Sequence, residues 1–407
     1  MSTVPPAAVM LAAAATLAAA ACSTPCAADG ASWTAVPPPR PAECRTVAAG
    51  DGLQAAITAA APGAALCLAP GLHRGPIRVT TPLTLWGTRD AIISGGVTIT
   101  ADDVTVAGLT VESDAVGVEV QKTHRTHLIG NHVLGDRGAG IGERGDSIRL
   151  WETDDAVVED NLIEDGRDVV VWYSRRALLR HNDVRRSRYG AHFMYSHGSR
   201  VADNRYVGVT VGVFVMYSRD VELTGNVIAN AAGSAGIAIG LKDSGSVRIA
   251  NNLLVRDEVG IFIDATPQRR DELVEITGNQ IRLCRTAIVF HATAHGVRIH
   301  GNDFGGNDVQ TRVDGGGDAL RVGWEGNWFD DYTGYDLDDD GTGDVPYELR
   351  SFTGELVARQ PELGFMRGTP ALAMADAAAH LDPLYQPRTL LVDRAPRMAP
   401  VAGQGAR

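Results

Sequence analysis

Three stretches decide the fold: residues 167–174 are Arg-Asp-Val-Val-Val-Trp-Tyr-Ser, residues 189–196 are Tyr-Gly-Ala-His-Phe-Met-Tyr-Ser, and residues 211–218 are Val-Gly-Val-Phe-Val-Met-Tyr-Ser. The ending Trp-Tyr-Ser or Met-Tyr-Ser returns at an interval of 22 residues. A fixed interval of this length predicts a protein built from stacked repeats. One column of the stack then contains Trp151, Trp172, Met194 and Met216.

Asparagine marks the same repeat independently, within the pattern Val-x-Ile-x-(Gly/Asp)-Asn-x-Ile, at a spacing of 21 to 27 residues. Asparagine at a fixed turn tolerates left-handed backbone and can pair its amide with that of the next repeat. We therefore predict a structural asparagine column. Its members are Asn161, Asn182, Asn204, Asn226, Asn252, Asn279, Asn302 and Asn327.

Apolar and polar residues alternate within each repeat, as around Val274 and Ile276, which indicates short strands. Such units cannot bury an apolar face alone, but they can stack at about 4.8 Å per rung. The sequence thus predicts an all-β protein, a right-handed parallel β-helix of about 8 to 10 rungs. We expect an N-terminal capping helix within residues 52–61 and an irregular C-terminal tail.

The charge balance excludes some partners. A net charge of −12 argues against nucleic acid and against an anionic membrane face, because both attract basic surfaces. Beyond the N-terminal signal described below, no stretch is apolar for the roughly 18 residues that a membrane span needs. Contact with a membrane is therefore expected only through a lipid anchor or through partner proteins.

The chain begins with an apolar run, Val9 to Ala21, that has the length of an export signal and is too short to span a bilayer. Two outcomes stay open: cleavage after an Ala-x-Ala site, or lipidation of Cys22, which would anchor a periplasmic protein. The expected organisation is a signal peptide at 1–22, a Pro-rich linker at 23–45, a β-helix with its cap at 46–330, an acidic loop at 331–350 and a capping or docking tail at 351–407.

The cysteines fit an oxidising compartment. Cys44 and Cys67 flank the amphipathic segment 52–61, and a disulfide between them would bridge the cap. Cys284 is then left over in a turn, where we expect a buried single thiol. Proline spacing stops the tail from continuing the rungs, and an amphipathic helix is predicted near residues 371–381.

Which strand face points outward decides the function. We align the rungs on a recurring glycine: Gly190, Gly212, Gly236 and Gly260. The first, third and fifth residues after it are mainly aliphatic or aromatic, include three tyrosines and are assigned to the core. The alternate set contains Lys242, Asp264 and three serines, so it is assigned to the outer face.

The outer set then forms a contiguous apolar patch, which a soluble monomer rarely keeps without a partner. Trp151, Trp172 and Phe214 are the predicted partner-binding anchors. A second explanation adds a metal. His192 and Met194 lie two apart on one strand and Met216 lies one rung away, which gives a soft, open site suited to Cu(I).

A second metal candidate follows the last repeat. Asp336, Asp338, Asp340 and Asp344 occupy the first, third, fifth and ninth places of a calcium loop, with Gly341 at the sixth. The twelfth place departs from that pattern because it holds tyrosine. We therefore expect weak Ca²⁺ binding with a structural role, and a solvated acidic turn remains the alternative.

The run from Asp146 to Ser218 resembles the NosD family, the periplasmic maturation factors of nitrous oxide reductase. The resemblance is carried by Arg149-Leu150-Trp151, by the three stretches quoted above, by the acidic stretch near residue 336 and by the Pro-spaced tail. It covers most of the chain after the signal.

The resemblance implies work with an ABC transporter, made of a cytoplasmic ATPase and a permease, and with a copper chaperone. Together they would assemble the four-copper sulfide centre of nitrous oxide reductase. His192, Met194 and Met216 would then hold Cu(I) transiently, without enzymatic activity of the chain itself.

Two functions of other classes remain as alternatives. A carbohydrate-active β-helix enzyme, such as a lyase or an epimerase, needs paired carboxylates or a base beside arginine or lysine in one groove. The outer positions of the central rungs offer mostly apolar residues instead, with Asp264 and His291 as a single pair. The other alternative is an adhesive scaffold without metal.

Overall fold

The computed structural model describes residues 38–233, 235–291, 295–314, 317–352, 356, 360–366, 369–381 and 387–401. Three parallel sheets of 13, 12 and 11 strands surround one apolar core, and the predicted all-β, right-handed parallel β-helix is confirmed. It has about 13 rungs rather than about 8 to 10, because the first rungs lack the asparagine and Tyr-Ser markers. The predicted signal 1–22, Cys22 and most of the linker lie outside the described residues.

Each rung contributes one strand to each sheet in turn. Sheet I contains Arg45–Val47, Ala64–Leu68, Leu83–Trp86, Thr105–Ala107, His127–Ile129, Val157–Glu159, Leu178–Arg180, Arg200–Ala202, Arg219–Thr224, Gly245–Ala250, Val274–Thr277, Val297–His300 and Gly323–Glu325. Sheet II contains Gly71–Arg74, Ala91–Ser94, Thr110–Glu112, His132–Leu134, Leu162–Glu164, Asp183–Arg185, Arg205–Val207, Val227–Ala229, Leu253–Val255, Gln280–Arg282, Asp303–Gly305 and Trp328–Phe329.

Sheet III carries the candidate site. It contains Ile77–Val79, Val97–Ile99, Val118–Gln121, Ile148–Trp151, Asp168–Trp172, Tyr189–Met194, Val211–Met216, Ile237–Lys242, Val259–Asp264, Thr286–His291 and Val309–Asp314. Its strands have three or four residues in the first rungs and five or six from Asp168–Trp172 onward. The longer strands give two outward positions per rung, which widens the outer face where the tryptophans and methionines lie.

Few described elements lie outside the three sheets. Helix α1, Leu53–Thr58, buries Leu53 and Ile57 against the first rungs. The predicted disulfide joins Cys44 to Cys67. After the last rung come an antiparallel strand pair, Tyr347–Arg350 with Thr389–Asp393, a 3-10 helix, Pro361–Met366, and helix α2, Pro370–Leu381. Helix α2 coincides with the amphipathic helix expected near 371–381.

The asparagine column forms a continuous ladder inside the turn between sheets I and II. Asn182 shows the pattern: its N–H and its Nδ2 donate to Oδ1 of Asn204 at 3.0 and 2.9 Å, and Nδ2 also donates to the carbonyl of Val158 at 2.8 Å. Each amide therefore satisfies a backbone N–H that the turn would otherwise bury without an acceptor. Asn131, which the sequence pattern missed, extends the ladder toward the N-terminus.

The left-handed residue of this turn differs from our expectation. It precedes each ladder asparagine rather than being the asparagine itself, as at Asp160 (φ 55°), His181 (φ 53°) and Asp203 (φ 55°). Glycine takes the same place in several other rungs. The asparagine is thereby free to turn its amide inward along the stack.

The C-terminal strand closes the ladder. Asn327 N–H and Nδ2 donate to Oδ2 of Asp393 at 3.0 and 2.8 Å, and Asp393 is fully buried. Arg397 donates to the carbonyl of Gly326 and to Oδ1 of Asp303. The last rung thus receives from the tail a side-chain oxygen acceptor like the one that each rung of the asparagine ladder receives from the next.

Cys284 is the buried free thiol that the sequence predicts, and burial raises its pKa to about 12. Its neighbour in the stack is Asp257, which is 2% exposed. Oδ1 of Asp257 accepts the N–H of Ala231 at 2.6 Å, whereas Oδ2 is buried without a hydrogen-bond partner. Burial raises the pKa of Asp257 well above its ordinary value.

We predict that Asp257→Asn stabilises the protein at neutral pH. A raised folded-state pKa means that the folded protein holds the proton more tightly, so stability falls as the pH rises from the unfolded pKa toward the folded one. The asparagine of the variant does not ionise, so the variant avoids this loss of stability. It also avoids about 1 to 3 kcal/mol of desolvation cost. Unfolding midpoints measured between pH 4 and 8 should show a variant that gains on wild type as the pH rises.

The matched control is Asp183→Asn. Asp183 is equally buried, but Arg185 donates to it through Nε at 2.9 Å and through Nη2 at 2.6 Å. Asp183→Asn should therefore lower the free energy of unfolding by about 2 kcal/mol. A destabilised Asp257→Asn protein at pH 7 would contradict the assignment of Asp257 as a costly buried acid.

Candidate functional site

The tryptophan and methionine column lies in register on sheet III. Trp151 pairs with Trp172, Trp172 with Met194, and Met194 with Met216 on successive parallel strands. Since neighbouring strands are about 4.8 Å apart, the four side chains form a row about 14 Å long. All four are half-buried.

A second outward row runs beside the first. Val170 pairs with His192, His192 with Phe214, and Phe214 with Gly240. A Cβ at position 240 would lie 2.3 Å from Cε2 of Phe214, so the glycine makes room for that ring. The two rows together form the outer face of the central rungs, and we call them the aromatic–thioether face.

Three tyrosines assigned to the core are instead outside, so that part of the assignment is wrong. Tyr173 and Tyr195 are 46% and 44% exposed, and Tyr217 is half-buried. Their φ angles of 53°, 52° and 50° place each in a left-handed turn that ends the alternation of its strand. The rings stack on one another, with centroids 5.3 and 4.9 Å apart, along the edge of the aromatic–thioether face.

The serines that follow were placed outside and are instead buried. Ser174, Ser196 and Ser218 form a ladder in which the N–H of each donates to the hydroxyl of the next, at 3.2 and 2.9 Å. Lys242 and Asp264 thus remain as the polar residues that assign this strand face to the outside.

One rung is also shifted relative to our alignment. Phe214 pairs with Gly240 and Met216 with Lys242, so the residue equivalent to Gly212 is Ala238 and not Gly236. A shift of two residues preserves which face each side chain occupies. Its consequence is that Lys242, rather than Gly240, is the neighbour of Met216 in the row.

His192 is enclosed by this face. It is 9% exposed, its ring stacks on Tyr189 at 4.6 Å, and it meets Trp172 edge to face at 5.5 Å. Burial lowers its pKa, so the imidazole is neutral at neutral pH. Nε2 lies 3.4 Å from Sδ of Met216, and Nδ1 is buried without a hydrogen-bond partner.

The spacing of these donor atoms suits a single soft ion. Bonds of about 2.0 Å to nitrogen and about 2.3 Å to sulfur, at a tetrahedral angle, would separate the two donors by about 3.5 Å. The observed 3.4 Å between Nε2 and Sδ of Met216 is close to this value. Met194 is the register neighbour of Met216 and supplies a second thioether. Uncharged nitrogen and sulfur donors favour Cu(I) over hard cations such as Mg²⁺ or Ca²⁺.

An ion network borders this site and was missed from the sequence. Asp146 and Asp168 are 2% and 1% exposed, and guanidinium groups hold both. Asp146 accepts hydrogen bonds from Arg149 and Arg167, and Asp168 accepts them from Arg188. The three arginines of the run 185–188 are likewise ion-paired, Arg185 with Asp183, Arg186 with Asp165 and Arg188 with Asp168. The dipeptide Arg167-Asp168 at the start of a strand was the sequence feature that could have indicated this network.

Beyond Met216 the row becomes polar. Lys242 Nζ lies 2.7 Å from Oδ2 of Asp264, and His291 Nδ1 lies 2.9 Å from Oδ1 of the same carboxylate. Burial opposes ionisation of Asp264, but the two hydrogen bonds outweigh it and lower the pKa. These residues mark the C-terminal limit of the aromatic–thioether face.

The acidic loop brings three of its four predicted residues together. Ligand oxygens of Asp336, Asp338 and Asp340 lie within 4.8 Å of one another. Asp344 instead accepts the N–H of Leu337 at 2.7 Å. Asp340 raises the pKa of Asp338 by charge repulsion, as expected for carboxylates gathered without a counter-charge.

Sequence reasoning missed another group of metal-ligating side chains. Glu159, Asp160 and His181 also place ligand atoms within 4.8 Å of one another on adjacent rungs. Glu159 is already paired with Arg180 at 2.7 Å. The group has the makeup of a surface ion cluster, and its residues offered no distinctive spacing in the sequence.

The fold and this face define a class: a parallel β-helix whose long side carries half-buried aromatic rings beside a cluster of imidazole and thioether groups. Residues 135–334 match the family model described as "Periplasmic copper-binding protein (NosD)". This stretch, just under half of the chain, is therefore similar to the NosD family, in line with the resemblance in the sequence.

Two curated relatives share the match. One, from Pseudomonas aeruginosa, is 25% identical over 69% of this chain and 66% of its own length. The other, from Stutzerimonas stutzeri, is 25% identical over 63% of this chain and 61% of its own length. Both are named "Probable ABC transporter binding protein NosD". The match spans just under two thirds of these relatives.

Solved structures with likeness to the chain include an alginate lyase from Paenibacillus, at 15% identity and a TM-score of 0.44 over 68% of this chain and 98% of that one. The periplasmic alginate epimerase AlgG gives 14% identity and a TM-score of 0.38 over 74% and 75%. Within the described residues, none of the helices has the length and hydrophobicity to cross a bilayer.

Proposed function

We propose that this chain is a periplasmic accessory protein that holds Cu(I) transiently at His192, Met194 and Met216 and contributes it to the copper-sulfide centre of nitrous oxide reductase. The observation that carries the proposal is the 3.4 Å approach of His192 Nε2 to Met216 Sδ on the outer face. The match of residues 135–334 to a family model described as copper-binding supports it.

The donor set suits an ion in transit. One imidazole and two thioethers carry no charge, so they do not hold a cation by direct ion pairing. Both methionines are half-buried at the outer surface, where a partner protein can reach them. Copper can then leave when the partner offers stronger ligands, such as thiolates or sulfide.

The apolar anchors lie where such a partner would dock. Trp151 and Trp172 occupy the same row as the methionines, and Phe214 lies beside Met216. Large half-buried aromatic side chains are common anchors of protein interfaces. We assign the copper chaperone and the reductase to this face.

Relatives named as ABC transporter binding proteins support a place beside a transporter made of an ATPase and a permease. In this arrangement the chain meets the membrane only through those partners or through a lipid on Cys22. Within the tail, Asp393 and Arg397 bind to the last rung. The tail 351–407 is the part that we assign to the permease.

The alternatives have less support. A carbohydrate lyase or epimerase needs a free base beside a bound sugar, whereas the Asp264 carboxylate on this face is held by Lys242 and His291. We therefore propose a chain without catalytic activity. A metal-free adhesive scaffold would keep the aromatic anchors but have no use for the imidazole and thioether donors.

We predict that cells lacking this chain produce nitrous oxide reductase without its four-copper sulfide centre. Wild-type protein should restore the centre, and the double variant Met194→Ala/Met216→Ala should not, because it lacks both thioether donors. Copper content and the visible absorption of the purified reductase measure the result.

The matched control is Leu72→Ala, which removes an exposed apolar side chain of sheet II, outside both the aromatic–thioether face and the tail, and should restore the centre fully. Far-ultraviolet circular dichroism of each variant checks that the β-helix is intact. A reductase with a complete centre from cells lacking the chain would exclude the maturation role. A complete centre with the double variant would exclude these methionines.

We also propose that the acidic loop binds Ca²⁺ weakly, with Asp336, Asp338 and Asp340 as ligands and Asp344 bracing the turn. Calorimetric titration should give a dissociation constant of about 10⁻⁴ to 10⁻³ M. Asp338→Asn/Asp340→Asn should abolish binding, whereas Asp90→Asn, a change elsewhere on the surface, should not. Equal binding heats from the wild type and the double variant would contradict the Ca²⁺ site and would support the alternative, a solvated acidic turn.

A further inference from the structure

The proposed copper site lacks a counter-charge of its own. Its donors are neutral, and the acidic groups that act on His192 are Asp168 and Asp146. Arginine side chains already hold both carboxylates, as described above. A cation at His192 and Met216 must therefore be stabilised by something other than a free anion.

Aromatic rings surround the site instead. Tyr189 stacks on His192 at 4.6 Å, and the guanidinium of Arg188 lies 5.2 Å from the centre of the Tyr189 ring. Phe214 occupies the space above Gly240. The Tyr189 ring is thus already in contact with another cation, and the Phe214 ring packs against Gly240. Trp172 is the remaining ring of this enclosure.

Trp172 is placed for such a role. It is the register neighbour of Met194 and meets His192 at 5.5 Å with an interplanar angle of 86°. Its Nε1 is buried without a hydrogen-bond partner, although buried indole N–H groups usually find one. Packing therefore holds the indole in this position, since its N–H makes no hydrogen bond there.

We propose that Trp172 is a positioning and selectivity residue that stabilises the bound ion through a cation–π interaction. Tryptophan offers the strongest ring for this contact, and desolvation strengthens it. The cost of bringing an ion out of water rises with the square of its charge, so a neutral, aromatic-walled site favours Cu(I) over Cu²⁺ or Zn²⁺. The inference rests on the copper site proposed above.

The test is competition for Cu(I) between the purified full chain and a colorimetric chelator. Trp172→Leu should weaken binding about tenfold, the loss of a cation–π contact of ordinary strength, and Trp172→Phe should lie between it and wild type. Cu(I) should also quench tryptophan emission in the wild type, and Trp172→Leu should lose most of this quenching.

Trp86→Leu is the matched control, since Trp86 is also a half-buried tryptophan but lies on sheet I, away from the aromatic–thioether face. It should bind Cu(I) as tightly as wild type. Met194→Ala/Met216→Ala should lose binding altogether.

The outcomes separate the two proposals. Wild-type protein that fails to bind Cu(I) overturns the copper site itself. Wild-type affinity in Trp172→Leu, together with loss of binding in the methionine double variant, overturns only the role of Trp172. Equal weakening in Trp172→Leu and Trp172→Phe would assign the effect to packing and would likewise overturn the cation–π contact.

Discussion

Side-chain alternation along the strands of sheet III is the constraint on which the function depends. Successive residues of a strand point to opposite sides of the sheet. Because Phe193 is buried in the core, its two neighbours in the strand, His192 and Met194, lie on the outer face. Parallel stacking then repeats that choice on every rung. A displacement of one residue would seal both thioethers in the core and expose the aliphatic residues, which the apolar interior forbids.

Two hydrogen-bonded ladders keep this register. The asparagine ladder fixes one turn and the serine ladder another, and each supplies an acceptor for a backbone N–H that would otherwise be buried unpaired. In both ladders, each asparagine or serine directly follows a residue with left-handed backbone conformation. At the second turn that residue is Tyr173, Tyr195 or Tyr217, which explains why three large aromatic rings lie at the surface beside the row of tryptophans and methionines.

The sequence predicted the fold well, because a period near 22 residues and an asparagine at each turn are properties of the chain that need no tertiary information. It also predicted the row from Trp151 to Met216, whose strand pairing follows from the repeat. The tyrosines and serines were misplaced because strand alternation was extended into a turn with positive φ. The early rungs were undercounted since they lack those markers.

Other features depend on contacts that no local pattern encodes. The arginine groups around Asp146 and Asp168 come from different rungs, and so do Lys242, Asp264 and His291. A two-residue shift at Ala238, after a longer loop, decided that lysine follows Met216 in its row. Asp393 closes the asparagine ladder from 66 residues away, which spacing alone could not reveal.

We propose that one imidazole and two thioethers on the outer face bind copper together. X-ray absorption spectroscopy of the Cu(I)-loaded protein detects these ligands directly. We expect one nitrogen neighbour at about 2.0 Å and two sulfur neighbours at about 2.3 Å. A first shell of oxygen and nitrogen alone, or a sulfur signal that persists in Met194→Ala/Met216→Ala, would contradict it.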